Sequence, residues 1–366
     1  MGLGARLPDF PWDSLAEAKR VASAHPGGLV DLSVGTPVDD SPQLAIDALT
    51  AAGNAHGYPT VWGTTEVRAA IRSYLEGRWQ SVPLTDECVL PVIGTKELVA
   101  WLPLLLGLGA DDAVVFPECA YPTYEVGALV AGAQPVPLDD PESLPANTRL
   151  IWINSPANPS GRILSLEELR AFVAAARRLG AVVASDECYG EFAWDAEAIS
   201  VLDPRVNDGD YANLLAVHSV SKRSNAAGYR GGFVAGDPSL VQPLVGVRKH
   251  LGMMLPAPVQ AAMAALLGDQ AHVDAQRQRY LDRRSALKPA LEAAGFRIDH
   301  SEGSLYLWAT RNEDCRTTID WLAERGILAA PGDFYGAAAS HHVRIALTAT
   351  DERIDAAVSR LTTNRL

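Results

Sequence analysis

Two serines, a lysine and an arginine lie close together after a short apolar run in the second half of the chain. The run, residues 214–217, predicts a buried strand, and Ser219, Ser221, Lys222 and Arg230 follow it. A lysine amine can form a Schiff base with an aldehyde, and hydroxyls and a guanidinium can bind a phosphate. The grouping favours a cofactor with both groups, although a solvated Ser-Lys loop explains the stretch equally well when it is taken alone.

Two further apolar runs are also followed by polar side chains. Asn158 lies in Asn154-Ser155-Pro156-Ala157-Asn158-Pro159, where the prolines predict a rigid loop from which its amide can donate to a phenolic oxygen. Asp186 follows residues 181–185, and a carboxylate at the end of a buried strand needs a cation such as a protonated pyridine nitrogen. Tyr189 can donate to the same phenolic oxygen as Asn158. The alternatives are an ordinary Pro-Gly connection and a helix N-cap aspartate.

Three other stretches contribute candidate ligands of the same site. Gly94-Thr95-Lys96 precedes a helix, so the free amides of Thr95 and Lys96 predict an anion site. Tyr121 follows a strand and can cover a planar cofactor, although an aromatic residue beside prolines is more often packing. Arg344 lies in a strand of alternating polarity. If its side chain faces inward, it predicts a bidentate site for a carboxylate; the alternative is a strand register in which it faces solvent. No P-loop or Gly-x-Gly-x-x-Gly motif follows a strand, which argues against nucleotide binding.

These residues require a sheet that brings several strand ends together. Short apolar strands alternate with helices through the first two thirds of the chain, which predicts a mostly parallel sheet with ligands beyond the carboxyl ends of its strands. We predict strands at 113–117, 150–154, 181–185, 214–217, 296–299, 305–308 and 343–347. We predict helices at 65–79, 166–179, 271–294, 317–325 and 352–361, and one that begins at Pro42 with Ser41 as its N-cap.

The composition is that of an ordinary globular protein of about two domains. Of the 366 residues, 48% are hydrophobic and 20% are charged, and the formal net charge is −13. This charge argues against nucleic-acid binding, so an anionic ligand must be captured by local arginines. The scattered cysteines suggest neither a metal site nor disulfides, and we see no export signal in residues 1–8 and no segment long enough to span a membrane. We therefore expect a reduced, cytoplasmic protein.

Taken in order, these stretches resemble the fold-type-I aminotransferases that use pyridoxal 5'-phosphate, and the resemblance covers nearly the whole chain. Its most specific part is Ser-x-Ser-Lys followed by Gly-x-Arg. The resemblance implies an α/β fold in which residues 39–270 form a large cofactor-binding domain with a mostly parallel seven-stranded sheet. Residues 1–38 and 271–366 would form a small α+β domain. It also implies a homodimer in which Tyr58 reaches the phosphate in the neighbouring subunit.

The resemblance also implies a role for each candidate residue. Lys222 would form the internal aldimine and move the proton; Asp186 would pair with the pyridine nitrogen; Asn158 and Tyr189 would bind the phenolic oxygen; Tyr121 would stack on the ring; and Gly94, Thr95, Lys96, Ser219, Ser221 and Arg230 would hold the phosphate. Arg344, together with Asn158 and the backbone near Gly35, would bind the α-carboxylate of the substrate.

Several finer stretches resemble the shorter bacterial N-succinyldiaminopimelate aminotransferases of lysine and diaminopimelate synthesis. They include residues 221–230, 248–258 and 331–336. This likeness implies N-succinyl-LL-2,6-diaminopimelate as substrate, with the glutamate and 2-oxoglutarate pair as its partner, although no residue can be assigned to the succinyl end. The alternatives are an aminotransferase for aspartate, alanine or aromatic substrates and a carbon-sulfur β-lyase with the same cofactor. A regulator of this fold is disfavoured because the N-terminal segment is too short for a DNA-binding helix-turn-helix and the net charge is too negative.

Overall fold

A computed structural model gives the fold of the chain and describes residues 2, 4, 7–8 and 11–363. The stretch 1–8, where we expect no export signal, therefore lies partly outside the described residues. The α-helices are α1 (Ala16–Ser23), α2 (Gln43–Ala51), α3 (Thr65–Arg78), α4 (Thr95–Leu105), α5 (Thr123–Ala131), α6 (Leu166–Leu179), α7 (Pro204–Asn207), α8 (Val220–Arg223), α9 (Pro238–Leu251), α10 (Ala257–Leu267), α11 (Ala271–Ala293), α12 (Cys315–Ala323) and α13 (Asp351–Thr362).

The strands account for most of the remaining regular structure. They are β1 (Val30–Asp31), β2 (Val89–Val92), β3 (Ala113–Phe116), β4 (Gln134–Pro137), β5 (Thr148–Asn154), β6 (Val182–Asp186), β7 (Leu214–Ser219), β8 (Gly232–Gly236), β9 (Arg297–Asp299), β10 (Tyr306–Thr310), β11 (Ile327–Leu328), β12 (Ala330–Pro331) and β13 (Val343–Ala346). Short 3₁₀ helices lie at Pro11–Leu15, Asp86–Cys88, Ala227–Tyr229, Gly332–Tyr335 and Ala337–Ala339.

The central sheet has seven strands in the order β2-β8-β7-β6-β5-β3-β4. Within the described chain, six strands of this sheet point in one direction and β8 points in the opposite one, which confirms the predicted mostly parallel sheet. Asn154 pairs with Asp186 across β5 and β6, and Asp186 pairs with Val217 on β7. The loops after β5, β6 and β7 therefore begin at one edge of the sheet.

Both faces of this sheet are buried, as the continuous apolar runs predicted. On β5, Ile151 and Ile153 belong to one hydrophobic cluster, whereas Leu150 and Trp152 belong to the cluster on the opposite face. The helix α6 spans the predicted residues, begins with a capping box at Ser165 and ends at Gly180, which has a φ of 62°.

The predicted capping role of Ser41 is wrong. Helix α2 begins one residue later than we expected, with Pro42 at the N-cap and no side-chain cap. The Ser41 hydroxyl instead donates to the carbonyl of Asn225 at 2.8 Å. The Ser41 hydroxyl, which we expected to cap the helix, is therefore bonded to a carbonyl in the loop after α8, far away in the sequence.

The C-terminal part of the chain forms a second, smaller sheet. Its strand order is β12-β13-β10-β9, and β1 pairs in parallel with β11 nearby. A separate hydrophobic cluster joins α1 to the residues that follow α11. The proposed division into domains at residues 38 and 270 stays a prediction. Within the described chain, none of the helices has both the length and the apolar character needed to span a lipid bilayer.

Candidate active site

A cavity of about 300 Å³ opens where the loops after β5, β6 and β7 meet. It brings together most of the residues predicted to act: Gly35, Thr95, Lys96, Tyr121, Asn158, Asp186, Tyr189, Ser219, Ser221, Lys222, Arg230 and Arg344. Gly94 lies immediately behind Arg230 rather than in the lining, and Tyr58 lies elsewhere. The cavity is at the carboxyl edge of the parallel strands, where such sheets bind ligands.

Lys222 extends from the short helix α8 that β7 leads into. The Ser219 hydroxyl accepts a hydrogen bond from the Ser221 amide at 3.0 Å and caps this helix. The Lys222 amine donates to the carbonyl of Gly35. Burial lowers the pKa of Lys222 below its ordinary value, so a larger fraction of the amine is neutral and nucleophilic at a given pH. The solvated-loop interpretation is therefore wrong.

Asp186, the last residue of β6, is a buried carboxylate held by two neutral donors. The Tyr124 hydroxyl donates to it at 2.9 Å and the Cys188 amide at 3.2 Å. No helix begins at Asp186, because the chain enters a turn there, so the N-cap alternative is wrong. Burial raises the pKa of Asp186, which means that the ionised carboxylate lacks full compensation and would gain from a cationic ligand.

A candidate anion site lies at the beginning of helix α4, in the wall of the same cavity. Helix α4 begins after Gly94, whose φ is 74°, and presents the first amides of Thr95 and Lys96. The guanidinium of Arg230 packs against Gly94 so closely that a Cβ there would lie 2.8 Å from Arg230 Cζ. The Arg230 Nη1 also donates to the carbonyl of Ala227 at 2.8 Å. A helix N-terminus and a fixed guanidinium together suit a phosphate.

Arg344 faces inward and is 3% exposed, so its solvent-facing alternative is wrong. Its Nη1 donates to Asn158 Oδ1 at 2.8 Å and its Nη2 to the Ser33 carbonyl at 2.7 Å. Because a guanidinium only donates, the bond fixes the Asn158 oxygen toward Arg344 and leaves the Asn158 amide group as a donor for another acceptor. The Arg344 Nε has no hydrogen-bond partner within the described chain.

Two tyrosines that our sequence analysis missed complete the site. Tyr124 holds Asp186, and Tyr306 accepts or donates a 2.8 Å hydrogen bond with the hydroxyl of Tyr189. The Arg344 guanidinium also lies over the ring of Tyr306, with its Cζ 4.1 Å from the ring centre. Tyr124 lies three residues after Tyr121 in the same stretch, but the pattern gave no reason to prefer it to Tyr121. Tyr306 lies in a predicted strand and carried no local signal.

Tyr58 does not reach the cavity of its own chain. Its side chain is 96% exposed and lines a separate surface hollow with Pro59 and Arg68. The role predicted for Tyr58 requires a second subunit, so it stays a prediction.

The donor set fits pyridoxal 5'-phosphate. Lys222 could supply an amine for the aldehyde, and the α4 terminus with Arg230 and the serine hydroxyls could form a cradle for the phosphate. Asp186 supplies a buried carboxylate whose two hydrogen-bond donors carry no positive charge, which a protonated pyridine nitrogen would complete. Among the described residues, no group of histidine, cysteine and acidic side chains could hold a metal ion.

Comparisons with known proteins agree on one family. The family described as aminotransferase class I and II matches residues 28–361. A probable aminotransferase of Mycobacterium tuberculosis is 58% identical over 99% of this chain and 87% of its own length. The 4-dedimethylamino-4-oxo-anhydrotetracycline transaminase OxyQ of Streptomyces rimosus is 54% identical over 97% of this chain and 99% of its own. A solved N-succinyldiaminopimelate aminotransferase of Mycobacterium tuberculosis has a TM-score of 0.84 and 26% identity, and the match covers 97% of this chain and 99% of that one.

Proposed function

Since the chain belongs to the class I and II aminotransferases, whose cofactor is pyridoxal 5'-phosphate, we propose that it is an N-succinyl-LL-2,6-diaminopimelate:2-oxoglutarate aminotransferase of lysine and diaminopimelate synthesis. The observation that carries the amino-acid chemistry is the buried Arg344, fixed by Asn158 in the cavity that also contains the Lys222 amine. The whole-length likeness to the solved N-succinyldiaminopimelate aminotransferase supports the particular substrate.

Each residue of the site has a defined task in this proposal. When bound, pyridoxal 5'-phosphate supplies an electron sink that makes the Cα proton of an attached amino acid acidic. Lys222 would hold the aldehyde carbon and would later accept the Cα proton at its Nζ and pass it on to that carbon. Asp186 would keep the ring nitrogen protonated, and Tyr121 would cover the ring face. Arg230 and the α4 terminus would hold the phosphate.

Substrate orientation would depend on the opposite wall of the cavity. Arg344 has a rigid fork of donors that matches the two oxygens of an α-carboxylate. Two of its donors are already used by the chain itself, so the guanidinium is fixed before a substrate arrives. Preorganisation of this kind lowers the entropic cost of binding and keeps the substrate amine near Lys222. The Gly35 backbone would border the same carboxylate.

We also propose a homodimer that works in the cytoplasm. The exposed Tyr58 side chain is suited to reach the phosphate site of a second subunit. The unpaired cysteines, two of them buried, are those of a protein kept in a reducing compartment.

A second candidate function is amino transfer to a bulky cyclic ketone. The 54% identity with OxyQ, over nearly the whole of both chains, favours it. The two candidates share Lys222, Asp186 and Arg230. They differ in the need for Arg344 only in the half-reaction with the amino acceptor, because a cyclic ketone offers no α-carboxylate. A carbon-sulfur β-lyase is the remaining alternative.

Half-reactions with single substrates separate these functions. The purified holoenzyme is incubated with glutamate and the amine form of the cofactor is measured spectroscopically. The enzyme in this amine form is then offered oxo acids and cyclic ketones, and the return of the aldehyde form is measured. We expect one amine equivalent per subunit from glutamate and from N-succinyl-LL-2,6-diaminopimelate. No reaction with N-succinyl-LL-2,6-diaminopimelate would reject the particular substrate, and continuous pyruvate release from cysteine conjugates without an oxo acid would indicate the lyase.

A further inference from the structure

Tyr306 lies at the centre of the site although no motif pointed to it. The residue is 2% exposed, and its hydroxyl is 2.8 Å from the Tyr189 hydroxyl. Its ring lies beneath the Arg344 guanidinium at 4.1 Å. It also packs against Gly35, where a Cβ would lie 2.7 Å from Tyr306 Cζ. The Gly35 carbonyl accepts a hydrogen bond from the Lys222 amine. Tyr306 therefore lies next to both the Lys222 amine and Arg344, the proposed carboxylate-binding residue.

The direction of the hydroxyl–hydroxyl bond follows from the hydrogens that the two tyrosines carry. The two oxygens are 2.8 Å apart, and each phenol has a single hydroxyl hydrogen. If Tyr189 gives its hydrogen to a third atom, as the proposed function requires, it has none left for Tyr306. The contact between the two oxygens is then a hydrogen bond that Tyr306 donates and Tyr189 accepts.

We propose that Tyr306 is a positioning residue that donates to the Tyr189 hydroxyl and thereby directs the hydrogen of Tyr189 to the phenolic oxygen of bound pyridoxal 5'-phosphate. The proposal rests on the proposed function, in which Tyr189 and Asn158 bind that oxygen. A donor on the Tyr189 oxygen polarises its O–H group and strengthens the next bond in the chain. The arrangement stabilises negative charge on the phenolic oxygen without a new cation in the site.

A consequence can be measured without turnover. The visible absorbance of the bound cofactor changes when it loses the proton that lies next to the phenolic oxygen. A hydrogen bond to that oxygen stabilises its negative charge after this proton has left. The bond therefore lowers the pH midpoint of the absorbance change. Removal of the Tyr189 hydroxyl should raise this midpoint by about one to two pH units, the size expected for a bond to a charged acceptor. Removal of the Tyr306 hydroxyl should raise it by a few tenths of a unit, because a second bond in a chain strengthens the first by roughly 10–30%.

The experiment compares three holoenzyme variants with the unaltered protein: Tyr306→Phe, Tyr189→Phe and the double variant. If Tyr306 acts through Tyr189, the double variant has the same midpoint as Tyr189→Phe alone. The charged and titratable groups that face the pair are Lys222, Arg344, Cys188, Tyr124, Tyr280, Tyr335 and, next to Cys188, Asp186. All of them are retained in the three variants, so they contribute equally to each titration.

Tyr335 offers a matched control. It is also 2% exposed and lies beneath Arg344, at 5.2 Å, but its hydroxyl has no hydrogen-bond partner in the described part of the chain. Tyr335→Phe should leave the midpoint unchanged. A shift as large as that of Tyr306→Phe would mean that any phenol near Arg344 has this effect and would overturn the proposal.

The remaining outcomes separate this inference from the proposed function. An unshifted midpoint in Tyr306→Phe, or an additional shift in the double variant beyond Tyr189→Phe, overturns the relay while the assignment of Tyr189 stands. An unshifted midpoint in Tyr189→Phe removes both tyrosines from the phenolic oxygen and overturns the relay as well. A wild-type protein that binds no pyridoxal 5'-phosphate would reject the proposed function itself, and the relay with it.

Discussion

Replacement of Asp186 by asparagine isolates the charge of the site from its hydrogen bonds. The carboxylate now accepts from the Tyr124 hydroxyl at 2.9 Å and from the Cys188 amide at 3.2 Å. An asparagine oxygen can keep the bond from Cys188, and its amide group can donate to the Tyr124 oxygen, since a phenol also accepts. The substitution Asp186→Asn therefore removes a negative charge and leaves the number of buried hydrogen bonds unchanged.

The magnitude follows from the burial of the charge. Removing one partner of a buried ion pair costs ~3–5 kcal/mol, which corresponds to roughly 10²- to 10⁴-fold in rate if the pair is needed in the transition state. In the cofactor-free enzyme the same substitution should have a favourable effect, on the stability of the fold. Burial raises the pKa of Asp186, so the ionised side chain destabilises the cofactor-free fold. Cofactor-free Asp186→Asn should be at least as stable as the original chain near neutral pH, and this advantage should vanish below the ordinary aspartate pKa.

The assay has two parts. Single-turnover kinetics with glutamate measure the chemical step, and thermal unfolding of the cofactor-free protein at neutral and acidic pH measures stability. Tyr124→Phe is the matched control, because it removes one donor but keeps the charge; we expect about a tenfold loss of rate from the lost bond to a charged group. A rate for Asp186→Asn within threefold of the original would refute the assignment of Asp186 to the ring nitrogen.

Three further predictions test other walls of the cavity. Lys222 in the cofactor-free enzyme should react with an amine-directed acylating reagent at a lower pH than the side-chain amine of a free lysine derivative, because burial lowers its pKa; equal pH profiles, followed for Lys222 by peptide mass spectrometry, would contradict this. Arg344→Lys keeps the charge but loses the fork, so KM should rise about 10- to 100-fold for α-carboxylates, with no change for an amine that lacks the carboxylate; equal effects on both would remove Arg344 from substrate binding. Gly94→Ala displaces the Arg230 guanidinium and should weaken cofactor affinity about 10- to 100-fold. Gly132→Ala is the control, because Gly132 has a similar φ of 76° but open space around it, and it should leave the affinity unchanged. An equal loss of affinity in both variants would point to backbone strain instead.

The sequence allowed us to predict which side chains meet in the cavity because the carboxyl ends of parallel strands lie at one edge of a sheet. Asn158, Asp186 and Lys222 each follow an apolar run, so their meeting in one cavity required only the strand order. The strands that we did not predict individually have compositions that hide them. β2 contains Pro91, and β4 contains two prolines, and both are edge strands where a missing amide is tolerated. β8 is bounded by Gly232 and Gly236.

The two missed tyrosines could not be predicted for a different reason. Tyr124 and its acceptor Asp186 are 62 residues apart in sequence, and Tyr189 and Tyr306 are 117 apart. A buried tyrosine in an apolar element is usually a packing residue, and only the partner of its hydroxyl reveals another role. That partner is fixed by the docking of separate elements, which no local pattern contains. Polar contacts of this kind are therefore the part of a site that requires a three-dimensional structure.

Arg344 shows how far such docking and substrate binding depend on the same contacts. Its acceptors, Asn158 and the Ser33 carbonyl, lie 186 and 311 residues away, so the guanidinium joins the loop after β5 to the segment after β1. Truncation of Arg344 to alanine would leave these buried acceptors without donors and would disturb both segments as well as the substrate. Lysine retains a donor and the charge, so a rise in KM with an unchanged unfolding temperature would show that carboxylate recognition depends on the fork itself.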